Sequence, residues 1–250
     1  MRSSIKYSLF GILILMLFWQ VLLMIGTAAN DNYVYTQITP VNAIKSLWDL
    51  LFEAKFYEHI FASFYRIFYA LFLALVIGIP IGLIYASNEK IKMIFHLPFQ
   101  ILRMISPLSW MPIAVLVYDS WDGAIIFLIV MAAVWPIIFN LTQGMAKIDI
   151  GWIYVAKSFQ ANLFNQLRYA IIPAIAQDLT TGLRLALGVS WVIIVPAEYL
   201  GVTSGLGYAI NDARDTLDYS KLAALILAIG LIGFTIDSFL QSLSNKYKWN

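Results

Sequence analysis

The chain has 250 residues, of which 61% are hydrophobic and 12% charged, with a formal net charge of +2. A soluble domain of this size cannot hide that much apolar surface, because roughly half of its residues must face water; lipid solvates most of this chain. The absence of cysteine excludes disulfides, thiolate metal sites and thiol nucleophiles, and two histidines, His59 and His96, argue against a histidine-rich metal site.

A helical membrane span needs about 20 apolar residues. Six segments meet that need, near 8–27, 60–86, 98–118, 122–145, 170–198 and 221–242, which predicts an all-α integral membrane protein. The first segment follows a basic start, a pattern shared with signal peptides. The run from Leu9 to Ile25 is a full span with large residues throughout, which favours an anchor helix. Residues 28–58 then form an outside segment. There Ile44, Leu47, Trp48 and Leu51 recur at helical spacing, predicting a helix along the interface with Trp48, Phe52 and Phe56 at headgroup level. Pro98, Pro107 and Pro112 interrupt the third span, which predicts a kinked or partly unwound helix. Broken helices are tolerated at membrane depth where they line a cavity, so 104–112 (MISPLSWMP) is either part of a pathway or a plain kink.

Lys and Arg set the orientation. With the N-terminus inside, the inner segments hold Arg2, Lys6, Lys90, Lys92, Arg103, Lys147, Lys157, Arg168, Lys246 and Lys248. The outer ones hold Lys45, Lys55, Arg214 and Lys221 among many acids, including Asp31. Both termini are therefore expected in the cytoplasm of a multi-pass inner-membrane protein, and so is the loop at 147–170.

That loop is polar, basic and amphipathic, between two long apolar segments. Residues 150–165 (IGWIYVAKSFQANLFN) place Trp152, Val155, Phe159 and Leu163 on one stripe at spacings of three to four. Such a helix either floats at the bilayer surface or docks a soluble partner. No Walker loop, HExxH or GxSxG is present. No enzymatic activity is expected of the chain, and any ATP hydrolysis belongs to another subunit. Asp178 and Asp237 are the acids placed inside spans, and neither lies in a protease-like motif. Ionisable or polar groups in a span default to function, which marks Arg66, Ser106, Ser109, Asp178, Arg184, Ser190 and Glu198. Arg184 can hold an oxyanion by paired hydrogen bonds or pair structurally with Asp178 or with an acid on another helix; the structural role is favoured. Glu198, at the outer end of its span, caps it or lines an outer vestibule. Trp110 and Trp191 either gate the path or pack.

From about residue 60 to 240 the chain resembles the membrane subunit of a type I ABC importer, more narrowly the nitrate/sulfonate/taurine/bicarbonate group of permeases. The family's cytoplasmic Glu-Ala-Ala frame falls on Tyr154, Val155 and Ala156, its Gly position on Gln160 and its later Pro on Pro173. The spacing is kept; the Glu and the Gly are not. Gln lacks glycine's backbone tolerance, which leaves the turn geometry open. SPLSWMP at 106–112, TGLRLALGVSW at 181–191, PAEYLG at 196–201 and SGLGYAI at 204–210 complete the likeness, in order.

The resemblance implies a division into 1–58, an anchor helix with an interfacial segment, and 59–250, a permease domain. It implies that 150–165 is a coupling helix seated in a groove of an ATPase subunit, with Trp152, Tyr154, Val155, Ala156, Phe159, Gln160 and Leu163 at the contact. It further implies a path between two copies of the chain, with Ser106, Ser109, Trp110, Arg184, Ser190, Trp191 and Glu198 as candidates along it. The implied partners are a second copy, two ATP-binding cassette subunits that carry ATP and Mg, an extracytoplasmic binding protein and the lipid membrane, with no nucleic acid. The implied cargo is a small anion: nitrate, bicarbonate, a sulfonate or taurine. An ion-gradient-driven transporter titrating Asp178, Asp237 or Glu198 is the alternative.

Overall fold

The computed structural model describes residues 2–29 and 33–246. Asp31 and Lys248, and the side chains of Arg2, Lys157, Leu163 and Lys246, lie outside the described set.

The described chain is helical throughout. In order it forms α1 (Arg2–Ala29), α2 (Tyr33–Gln37), α3 (Pro40–Leu50), α4 (Ala54–Ser87), α5 (Glu89–Met104), a 3₁₀ turn (Pro107–Trp110) and α6 (Met111–Val117). There follow α7 (Trp121–Ala146), α8 (Ile150–Ser158), α9 (Leu163–Gln166), a π-helical turn (Leu167–Ile171), α10 (Ile172–Glu198), α11 (Leu206–Asp215) and α12 (Tyr219–Lys246). Among the described residues five helices are long and apolar enough to cross a membrane, and α5 with the 3₁₀ turn and α6 counts as a sixth if that bent pair is one span. The six expected segments each correspond to one of these.

Polar residues mark the starts. Thr39 caps α3, Asn88 caps α5 and Ser120 caps α7, each accepting a backbone N–H of the first turn, which satisfies a donor the helix cannot use. The bundle is built on α7. Its most apolar window is 61% buried, against 6% for α1, so α7 is the central post and α1 meets lipid or another subunit. Ile125, Leu128, Ile129, Ile137 and Leu141 are fully enclosed by α4, α6 and α10. Gly78 and Gly82 of α4 let the two axes approach: a Cβ on Gly78 would stand 3.0 Å from the Ile137 side chain, and one on Gly82 3.3 Å from the Ile138 backbone. Small residues at the contact are how helices pack where lipid removes the hydrophobic drive between them.

One expectation needs correction, and two are refined. Along α3, Ala43 and Leu50 are buried, whereas Ile44, Trp48 and Leu51 of the expected stripe are exposed. Phe56 is not at headgroup level. It belongs to α4 and sits in a second core with Leu50, Leu206 and Leu225, because α3 folds back onto α12 rather than lying free. The third span is interrupted as expected, and sharply: its two parts meet at 87°. Of the three prolines only Pro107 marks that break. Pro98 lies inside α5, and Pro112 occupies the first turn of α6, where a missing N–H costs nothing.

Candidate functional site

The cytoplasmic loop is not one helix over 150–165. α8 stops at Ser158, and α9 begins at Leu163. Gln160 has φ +53, the left-handed conformation that normally selects glycine. The Ala161 N–H reaches back to the Ala156 carbonyl at 3.1 Å, the long bond of a Schellman cap. The turn that a glycine would make is therefore made by Gln160. Leu163 falls on α9, so it cannot continue the stripe. The turn instead folds α8 against the start of the next span. Trp152, Val155, Ala156, Phe159 and Gln160 thereby face Asn165 and Tyr169 across an open groove of about 490 Å³. Tyr154 is exposed but does not line it. Outside the groove, Lys147 Nζ donates to Asp178 at 2.6 Å, tying the end of α7 to α10.

A second cavity, of about 470 Å³, opens at the broken span. Arg103, Ile105 and Pro107 form one wall, α7 residues from Met131 to Gln143 the floor, and Leu185, Val189 and Ile193 of α10 the far side. Of the expected path residues, Ser106 and Ser109 are exposed beside the break. Trp110 and Trp191 are partly buried against the main core, Trp191 also against Phe64.

Arg184 and Asp178 do not meet. The Arg184 guanidinium donates twice to Asp237 of α12, at 2.9 and 2.8 Å, so of its two expected partners the acid is the one on another helix.

Ser190 and Glu198 depart from the path altogether. Both are fully buried within the chain. The Ser190 hydroxyl donates to the Ala186 carbonyl. Glu198 is the centre of a polar node where α4 meets the start of α7 and the end of α10. Arg66 Nη1 donates to it at 2.6 Å, the Ser63 hydroxyl lies 2.8 Å away and the Gly207 N–H donates at 3.0 Å. Arg66 also donates to Asp122 and to the Ser204 carbonyl and hydroxyl, and Ser63 accepts the Leu206 N–H at 2.9 Å. A buried carboxylate needs a partner cation and filled lone pairs, and here the N-terminal amides of α11 supply part of that need. The loop can come this close only because it is SGLG. Gly205 has φ +115, and a Cβ on Gly207 would lie 2.1 Å from the Val195 carbonyl oxygen.

Sequence reasoning missed this node as a unit and missed the cavity's Arg103. The signals were present: Arg66 stands alone in a long apolar span, and paired glycines follow an acid.

The sequence profile of the family described as the binding-protein-dependent transport system inner membrane component matches residues 78–249, which is 172 of the 250 residues. The chain belongs to this family. Within it, the chain is 33% identical over 163 residues to the bicarbonate transport system permease protein CmpB of Synechococcus elongatus, covering 64% of this chain and 58% of that protein. It is 27% identical over 212 residues to the putative aliphatic sulfonates transport permease protein SsuC of Bacillus subtilis, covering 84% of this chain and 77% of that one. The chain thus spans little more than half the length of its bicarbonate and nitrate relatives. The fold is that of the inward-facing MetNI methionine ABC transporter, with a TM-score of 0.65 at 16% identity over 76% of this chain and 94% of that one.

Proposed function

We propose that this chain is the membrane-spanning permease subunit of an ATP-driven ABC importer and forms the translocation path for a small anion. Membership of the binding-protein-dependent family over 78–249 carries the reading. The groove under α8 supports it, because it occupies the loop where the family's docking frame falls and exposes Trp152 and Phe159 to a partner. Relatives named for bicarbonate, nitrate and aliphatic sulfonates support the anion class.

In this scheme two copies enclose the path, with both termini in the cytoplasm. A binding protein delivers the anion to the outer face, and two ATPase subunits, holding ATP and Mg, seat on the α8 grooves. ATP shifts the assembly between outward- and inward-facing states only by binding one state better than the other. Helix packing transmits that preference: Lys147–Asp178 and the Gly144 contact join the end of α7 to α10.

The test is purification of the tagged chain in gentle detergent from its native membrane. Co-purification of a Walker-motif ATPase, lost in Ala156→Arg, is the expected result. A chain that purifies alone and moves solute on an ion gradient without ATP overturns it.

A further inference from the structure

Arg66 and Arg184, both on the long bundle helices, each carry a carboxylate: Arg66 holds Glu198 and Asp122, and Arg184 holds Asp237. Arg103 does not. Among the described residues its guanidinium meets no carboxylate and no hydrogen-bond acceptor. Its one close contact is the face of Phe139, 5.1 Å from the ring centroid.

Arg103 lies two residues before the break in the third span. Phe139 is seven residues from the inner end of α7, about 10 Å along the axis at 1.5 Å per residue. The guanidinium is exposed in the single chain and lies alongside the spanning part of α7, where a charge without a partner defaults to function. It forms a wall of the 470 Å³ cavity together with the side-chain amides of Asn140 and Gln143. Asn140 uses one amide hydrogen on the Pro136 carbonyl, at 2.8 Å, and keeps the other; Gln143 has no partner among the described residues. The cavity's space corresponds to about fifteen waters at ~30 Å³ each, enough for a small oxyanion and part of its hydration shell.

A guanidinium stacked on an aromatic ring uses its face and leaves its N–H edge free. That edge matches two oxygens of an oxyanion at once. The amides add neutral donors, and the remaining wall (Trp135, Val189, Ile193) is apolar. One charge with neutral donors holds an anion without trapping it, as conduction requires.

We propose that Arg103, with Asn140 and Gln143, forms a transient oxyanion site in the inner part of the translocation path. The proposal rests on the permease reading above. It is specific to anions with at least two coplanar oxygens, such as nitrate, bicarbonate or a sulfonate.

The test uses the complete transporter, this chain with its ATPase subunits and binding protein, in liposomes. ATP-driven uptake of nitrate, bicarbonate and methanesulfonate is measured beside ATP hydrolysis. Arg103→Gln is expected to lower uptake of the transported anion about tenfold or more, with binding-protein-stimulated hydrolysis within about twofold of wild type. Arg103→Lys keeps the charge and loses the fork, so its uptake falls between the two. Should Arg103→Gln fail to assemble, Gln143→Leu in the same cavity is expected to lower uptake about threefold. Wild-type uptake in Arg103→Gln or in Gln143→Leu overturns the site alone. Full uptake in Arg103→Lys does the same, since a charge needed only at a helix end is met by any cation. Wild-type liposomes that hydrolyse ATP and accumulate none of the three anions overturn the anion reading itself, and the site with it.

Discussion

Two arginines, Arg66 and Arg103, show how one residue type serves two ends in one bundle. Arg66 is buried where α4 meets the start of α7 and the end of α10, with bonds to Glu198, Asp122 and Ser204. Arg103 stands at the broken span with an aromatic ring behind it and a cavity in front. The first is saturated by the chain that carries it and therefore holds structure. The second has its N–H edge left over, and only an anion from elsewhere fits it. A membrane arginine is thus read by its partners, not by its depth.

The largest effect is expected at the saturated end. Glu198→Ala leaves Arg66 buried without its closest anion, and removing one partner of a buried pair costs about 3–5 kcal/mol. The variant should lose most of its folded, detergent-stable population, measured by thermal unfolding of the purified chain. A near-native melting temperature would dissolve the contrast between the two arginines.

Gly207→Ala attacks the same node through sterics. Its Cβ would meet the Val195 carbonyl oxygen at 2.1 Å, and overpacking of this kind costs about 1–3 kcal/mol. The loop must move off Glu198, so the amide of residue 207 should lose protection from hydrogen exchange. Arg103→Gln provides the counterpart. With only the Phe139 contact to lose, its unfolding temperature should fall little even where uptake has gone.

Gln160→Gly sharpens the picture at the cytoplasmic turn. It relieves a left-handed residue, a strain of roughly 1 kcal/mol, and should slow exchange of the Ala161 amide. The smallest effect belongs to Asp237→Asn. The Arg184–Asp237 pair is exposed in the single chain, and exposed pairs contribute little to stability. The melting temperature of the isolated chain should not move.

Much of this was legible beforehand. Span lengths, the positive inner loops and the disruption near Pro107 follow from hydropathy, charge and proline chemistry, all of which act locally. The docking frame at Tyr154, Val155 and Ala156 was legible as spacing, but its turn was not. Whether Gln160 continues a helix or enters the left-handed region depends on α8 packing against the start of the next span. The path candidates were the least legible. Ser190 and Glu198 looked like lining because polar groups in apolar spans are conspicuous, yet their partners lie on the same helix or far away in sequence. Glu198 and Arg66 are 132 residues apart, and no periodicity links them.

By itself, then, the sequence determined the solvent, the position of the apolar segments and the place of the break, because each depends on how a short segment partitions between water and lipid. Only the tertiary structure decided which charges are spent within the chain and which remain for a ligand. That outcome depends on which helix ends meet, and Gly205 and Gly207 let the loop close over Glu198 while the 87° bend at Ile105 and Ser106 holds Arg103 open to the cavity.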